Sequence, residues 1–379
     1  MKNFLKLNTF NFETYGLNKF SKGNIDILLH HDPAEPKNAN RLLIEIGNLK
    51  AELQPSKGLS LGQVYYKGKK LFWDAPYRLP DPDTLDLWSD NVLINGEPKE
   101  GFEFLKTLTG GIEFYGLKNW GMPRKETSTG QVLPLHGETS NIPVKEVNIS
   151  LAQDRVVVEA EFVYNDMKKA DPQPWYLNGT PLYKVYKHYE FCEGKHPGIL
   201  ISDTIENITR VDLEPDWGYH ITFFPYCGTK MVINSERQEA RGGGKLPDDI
   251  DTWLPCGENA PREEIGIIHK NLKKIRSGNS DKSMVAVQHP TGDQIKLYFP
   301  SSPYFQIWSC RGGMGSDEFR LKNGESLLEK NWDGFGIEIG SSALDHDGNT
   351  DRSVKYQPVL KSGEKMVLGL ELQYYESGV

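Results

Sequence analysis

Three short segments each set one titratable side chain among glycines, aromatics and prolines. They are Leu135-His136-Gly137, Gly218-Tyr219-His220-Ile221-Thr222 and Gly336-Ile337-Glu338-Ile339-Gly340. Two imidazoles and one carboxylate can move protons on and off a hydroxylated substrate. A free histidine titrates near ~6.5 and a free glutamate near ~4.3, so modest changes of surroundings bring both close to neutral pH. General acid–base work of this kind needs the groups in one groove, within hydrogen-bond reach of the same molecule. The chemistry therefore depends on three distant points of the chain converging.

Each residue also has a plainer reading. Gly137 permits unusual backbone angles and close approach of a ligand beside His136, but His136 alone reads as a turn histidine bonded to backbone. Strand alternation puts Gly218, His220 and Thr222 on one face and Tyr219, Ile221 and Phe223 on the other. His220 then either enters a groove or sits on a half-exposed sheet face. The same alternation sends Glu338 opposite Ile337 and Ile339, while Gly336 and Gly340 leave room on its own face; the plain alternative is a solvent-facing strand glutamate. Trp308 alternates with Gln306 and Tyr304, and indole faces stack on the C–H faces of sugars while glutamine bonds hydroxyls; a core tryptophan is the alternative. Asp345-His346-Asp347 lacks the spacing of a calcium loop and reads as a surface turn.

These residues must be positioned by strands. Period-two alternation is common and helical periodicity is scarce. In the segment Tyr183 to Cys192, Tyr183, Val185, Tyr189 and Phe191 share one face, and Lys184, His188 and Glu190 the other. Arg155 to Tyr164, Lys296 to Phe299 and Met366 to Tyr375 also read as strands. Hairpin signals recur at Lys67-Gly68, Asn95-Gly96, Gln153-Asp154, Thr291-Gly292 and Ser362-Gly363. Asp166 to Pro181 and Ser235 to Pro261 read as long loops, the second around a flexible turn at Gly242 to Gly244. No repeat and no linker composition interrupts the 379 residues. The expected fold is all-β, one large antiparallel β-sandwich over residues 41–379, with residues 1–40 as an N-terminal extension packed on it.

Composition narrows the function. The net charge of −8 argues against a nucleic-acid partner, which needs a basic face for phosphates. The N-terminal segment Met1 to Lys6 lacks the apolar run of a signal peptide, and no stretch approaches a membrane span. A soluble cytoplasmic protein is expected. The four cysteines, Cys192, Cys227, Cys256 and Cys310, form no C-x-x-C pair and read as reduced thiols.

Taken in order, the segments resemble aldose 1-epimerase (galactose mutarotase-like) proteins. The nearer likeness is to an uncharacterised bacterial branch of that superfamily, a domain of unknown function. The resemblance is carried by Ala51 to Gly62, Gly68 to Trp73, Gly110 to Gly121, His136-Gly137 with Ser140 to Pro143, Asp203 to Asn207, Gly218 to Pro225 and Glu338, and it spans roughly residues 45 to 375. It implies a β-supersandwich with a sugar on its concave face. It also implies His220 as general acid, Glu338 as general base and His136 as a hydroxyl-binding residue. Gln306 and Trp308 resemble the family's substrate-contacting pair, and Asn119 lies in the loop that lines its pocket. Lys57 stands where this branch commonly has arginine, and lysine is a point charge without the planar fork.

The expected function is interconversion of sugar anomers on a monosaccharide or sugar derivative, with no metal and no organic cofactor, by a monomer or homodimer. A related keto-sugar isomerase or epimerase, and a carbohydrate-binding protein without catalysis, are the alternatives. Two histidines and a glutamate also make a facial-triad metal set, ranked last.

Overall fold

Alternating side chains give strand after strand, and the strands assemble into two large antiparallel sheets. The protein is seen in a computed structural model that describes residues 3–8, 19–36, 38–75, 77–224, 226–246, 248, 251–252, 265–277, 280–301, 307–312, 319–324, 334–344, 349–355 and 359–377. One sheet has ten strands and the other twelve.

The main path of the ten-stranded sheet runs Asn3–Asn8, Glu146–Leu151, Arg155–Asp166, Thr180–Cys192, Gly198–Asn207, Lys365–Tyr375, Gln294–Pro300, Ser280–Gln288 and Lys230–Ile233. Its longest strand, Thr180–Cys192, shows why these sequences are strands. Tyr183, Val185, Lys187, Tyr189 and Phe191 are buried, while Lys184, Tyr186, His188 and Glu190 are only partly so. One face must pack and the other can be wet, which the pleat satisfies and a helix does not.

The twelve-stranded sheet begins with Ser235–Ala240, Ile265–Leu272, Ile307–Gly312 and Gly334–Gly340. It continues through Asp216–Phe223, Gly111–Leu117, Ser60–Tyr66, Leu49–Gln54, Asn40–Ile46, Ile25–His31 and Lys19–Lys22. The turn signals act as read. Lys67-Gly68 and Asn95-Gly96 each carry two consecutive positive φ angles, 49° and 77°, and 52° and 81°. That is the type I′ geometry that matches the twist of a hairpin. The first forty residues supply strands to both sheets: Asn3–Asn8 edges one, and Lys19–Lys22 with Ile25–His31 edges the other.

The core fills the space between the sheets. Val156, Val158, Val185, Tyr189, Ile199, Ile201, Leu368 and Leu370 from one sheet belong to one apolar cluster with Leu53, Leu61, Phe114, Trp217, Tyr219, Ile221, Ile337 and Ile339 from the other. A charge pair lies inside this layer. Lys187 Nζ meets Asp203 Oδ2 at 2.6 Å with both side chains fully buried. The Tyr219 hydroxyl donates to the same oxygen at 2.8 Å and so ties the two sheets together. The rings of Phe114 and Tyr189 lie 5.1 and 5.5 Å from the ammonium.

Two readings are corrected here. Ser235–Ala240, expected to open a loop, is the edge strand of the twelve-stranded sheet. Its charged residues made it look like a loop, and such charges suit an edge that must not pair further. Cys227, expected as a reduced thiol, is disulfide-bonded, while Cys192 is free. Spacing along the chain carries no information about which thiols the fold brings together. Asp345 to Asp347 lie outside the described residues. Among the described residues, no helix is long and apolar enough to cross a membrane.

Candidate acid–base site

Four neighbouring strands of the twelve-stranded sheet place Glu113, His220, Glu338 and Trp308 at one register level. Glu113 stands opposite His220, His220 opposite Glu338, and Glu338 opposite Trp308. Residues directly opposed on an antiparallel ladder share a face. Phe114, Tyr219, Ile221, Ile337 and Ile339 take the core side, so Glu113, His220 and Glu338 project from the other side.

His136 joins the row from a connecting segment. It adopts φ 57° and is followed by Gly137 at φ 70°, two consecutive left-handed residues. A Cβ at Gly137 would lie 2.7 Å from the Asn119 carbonyl oxygen and 2.9 Å from that of Gly116, so only glycine fits. The turn is bonded to the end of the Gly111–Leu117 strand: Gly116 N–H donates to the His136 carbonyl at 2.9 Å, and the Thr139 hydroxyl to the Gly116 carbonyl at 2.7 Å. His136 Nδ1 meets the Trp120 carbonyl oxygen at 2.6 Å. A carbonyl only accepts, so Nδ1 carries the proton and Nε2 offers a lone pair. His136 is thus tied to backbone, as its plainer reading expected, and the tie fixes the direction of the ring.

The three side chains meet. One ligating atom from each of His136, His220 and Glu338 lies within 4.8 Å of the others, and all three residues are partly open. The two imidazole centroids are 5.8 Å apart. Tyr115, buried completely, donates its hydroxyl to Glu338 Oε2 at 2.8 Å, and its ring packs 4.4 Å from His136. Thr222 Oγ1 lies 3.2 Å from His220 Nδ1. Burial pushes the His136 pKa below the ordinary imidazole value, and the nearby Glu338 opposes it. Burial, reinforced by the Glu338 charge, holds the Tyr115 phenol well above its ordinary value, so it remains a donor.

Gly218 and Gly340, paired across two of these strands, are what let an indole lie against the sheet. A Cβ at either would come within 2.7 or 2.5 Å of Trp120. The space that Gly340 leaves on the Glu338 face is therefore taken by Trp120, which stacks on Tyr115 at 6.2 Å.

Two expected ligand contacts are placed elsewhere by the structure. Lys57 is fully buried; its Nζ pairs with Glu113 Oε2 at 3.0 Å and donates to Asn141 Oδ1 at 2.9 Å. Burial lowers its pKa, opposed by Glu113. Lys57 serves as counter-charge to Glu113 and presents no face to a ligand here. Asn119 is also buried. Its Nδ2 donates to the carbonyls of Gly121, Met122 and Pro134, and its Oδ1 accepts from Arg124 Nε at 3.1 Å. It holds the shape of the loop under His136. Trp308 takes the register position beside Glu338, and Gln306 lies outside the described residues.

Tyr115, Glu113 and Trp120 were not singled out from the sequence. All seven residues of Gly111–Leu117 are buried, so alternation could not say which side chains face the site. The available signal was aromatic content within Gly110 to Gly121. A separate open hollow of about 1070 Å³ lies on the outer face of the ten-stranded sheet, lined by Glu159, Tyr186, His188 and Ser202 among others. Its charges are largely paired internally, as His188 with Glu159 at 3.2 Å and Lys184 with Glu161 at 2.8 Å.

The fold is shared with solved structures at low sequence identity. A candidate aldose 1-epimerase from Klebsiella pneumoniae superposes with a TM-score of 0.72 at 15% identity, over 99% of this chain and 92% of that one. A galactose mutarotase-like protein from Clostridium acetobutylicum gives 0.55 at 14% identity, over 93% and 99%. One from Lactobacillus casei gives 0.50 at 12%, over 92% and 100%. These likenesses establish the galactose mutarotase-like sandwich. Residues 38–315, more than half of the 379, match the family described as a domain of unknown function (DUF4432), and the chain belongs to that family.

Proposed function

We propose that the protein is a carbohydrate-active enzyme of the aldose 1-epimerase type, interconverting sugar anomers by general acid–base catalysis. The observation that carries this is the convergence of His136, His220 and Glu338 to within 4.8 Å on a partly open face. The fold likeness to a candidate aldose 1-epimerase supports a sugar as substrate.

Anomer interconversion opens and recloses a cyclic sugar. A base takes the proton of the anomeric hydroxyl while an acid protonates the ring oxygen. The C1–C2 bond then rotates, and the ring closes with the roles reversed. Glu338 is the base: Tyr115 fixes one carboxylate oxygen by donating its hydroxyl to it, and one carboxylate oxygen lies within 4.8 Å of a ring nitrogen of each imidazole. His220 is the acid, standing directly across the ladder from Glu338. His136, kept neutral by burial with its Nδ1–H spent on Trp120, accepts a hydrogen bond from a sugar hydroxyl through Nε2. No step requires a metal or organic cofactor.

The test is polarimetry on freshly dissolved single anomers of a monosaccharide panel. The expected result is faster equilibration for at least one sugar. Binding of a sugar by calorimetry with no acceleration for any would reduce the protein to a carbohydrate binder. Deuterium incorporation at carbon from deuterated water would instead mark a keto-sugar isomerase acting beside a carbonyl.

A further inference from the structure

We infer that His136, His220 and Glu338 form a three-ligand site for one divalent cation of the zinc type, whose binding excludes proton transfer by the same groups. The inference rests on how the side chains are tied back rather than on their proximity alone. A histidine that binds a metal through one ring nitrogen donates the other N–H to a carbonyl, carboxylate or similar acceptor, which fixes tautomer and direction. His136 does this, with Nδ1 donating to the Trp120 carbonyl at 2.6 Å. His220 has the equivalent partner in Thr222 Oγ1 at 3.2 Å. Glu338 is held through Oε2 by the Tyr115 hydroxyl at 2.8 Å. Among the described residues, Nε2 of each imidazole and Oε1 of the carboxylate are the atoms left without a bond.

The donor set and charge suit the cation. Two imidazoles and a carboxylate are a zinc-binding combination that leaves at least one coordination position for water. The neighbouring Glu113 carboxylate is already matched by Lys57 at 3.0 Å, so Glu338 contributes the net negative charge. Donors around tetrahedral zinc sit about 3.4 Å from one another. The observed limit of 4.8 Å therefore calls for a closing movement of about 1.4 Å at most.

The consequence follows from lone pairs. A cation bound to Nε2 of both histidines and to Oε1 occupies the atoms that the proposed reaction needs for proton transfer. Cation and sugar then compete. The binding stands on the geometry by itself, whereas its effect on turnover rests on the proposed acid–base reading.

The experiment uses chelator-stripped protein titrated with Co²⁺, followed by its visible absorption, and with Zn²⁺, followed by calorimetry. One equivalent is expected to bind. Glu338→Gln and His136→Asn are each expected to weaken it at least ~10-fold. Asparagine tolerates the positive φ at position 136, so that variant keeps its fold. Absence of binding, or binding unaltered in both variants, would overturn the site. Stripped protein that accelerates mutarotation and is silenced by one equivalent of Zn²⁺ supports the exclusion, and turnover that rises with Zn²⁺ overturns it. Stripped protein with no effect on any sugar removes the proposed function and leaves the binding result standing.

Discussion

His220 and Glu338 face each other directly across two antiparallel strands, on the side of the sheet turned away from the inter-sheet core. Adjacent strands hold such a pair at a fixed separation without help from a loop, so acid and base move as one rigid unit. Glu338→Gln is nearly isosteric and still offers an acceptor to Tyr115. We expect it to lower anomer interconversion by ~10²–10⁴-fold, the usual worth of a positioned acid or base, with a melting temperature close to wild type. Polarimetry beside a thermal melt checks both. An unaltered rate would remove Glu338 from the base role.

His220→Asn separates catalysis from binding. The amide fills much of the ring's space but cannot deliver a proton at neutral pH. Turnover is expected to fall far more than sugar affinity, read as kcat against the dissociation constant from calorimetry. A variant that loses affinity alone would make His220 a binding group.

His220 and Glu338 were legible in the sequence because each lies on a strand whose own neighbours define its faces. Tyr219, Ile221, Ile337 and Ile339 alternate with His220 and Glu338, and hydrophobic burial does the rest. The turn at Asn95-Gly96 was equally legible, since its φ requirement is local. Tyr115 was not, because every residue of its strand is buried and the choice of face depends on register with Asp216–Phe223. The surroundings of Lys57 were not legible for a related reason: only the fold brings Glu113 and Asn141 to neutralise it. Which side chain fills the space left by a glycine is likewise non-local; Trp120 covers Gly340 from 220 positions away along the chain.

Tyr115→Phe tests whether the tie on Glu338 matters. It deletes one hydroxyl and keeps the ring that packs on His136 and Trp120. Glu338 Oε2 loses its donor, and the side chain gains rotamers. We expect kcat to drop roughly 10-fold, in keeping with the cost of about 1.5 kcal/mol for a hydrogen bond to a charged group, and KM to change little. Equal loss in kcat and affinity would show that the ring itself has moved.

Acid stability is set in part by histidines buried in neutral form. Burial pushes His269 down to about 4 from 6.5, and also lowers His136 and His289. In each case the unfolded chain binds a proton at a pH where the folded chain does not. Stability is therefore full above the unfolded value near pH 6.5 and is lost as pH falls toward 4. For His269 alone the loss approaches on the order of 3 kcal/mol at the acid end. Urea unfolding at pH 7 and pH 4.5 should show it, and His269→Gln should flatten the slope. An equal slope in that variant would shift the effect to other groups.

The Lys187–Asp203 pair is the severest test of the core. Asp203→Leu alone leaves an ammonium between two sheets with no counter-charge and deprives the Tyr219 hydroxyl of its acceptor. Breaking one partner of a buried pair costs about 3–5 kcal/mol, whereas replacing both by apolar groups of similar volume is often neutral. The double variant Lys187→Met with Asp203→Leu should accordingly recover much of the loss, the remainder being the stranded Tyr219 hydroxyl, which a further Tyr219→Phe relieves. Chemical denaturation of the single, double and triple variants measures each step. Tyr219 immediately precedes His220 on its strand and projects to the opposite side, so the pair also anchors the strand that carries the proposed acid. If the double variant matches wild type in stability yet loses turnover, the buried charges serve to hold His220 in register rather than to hold the sheets together.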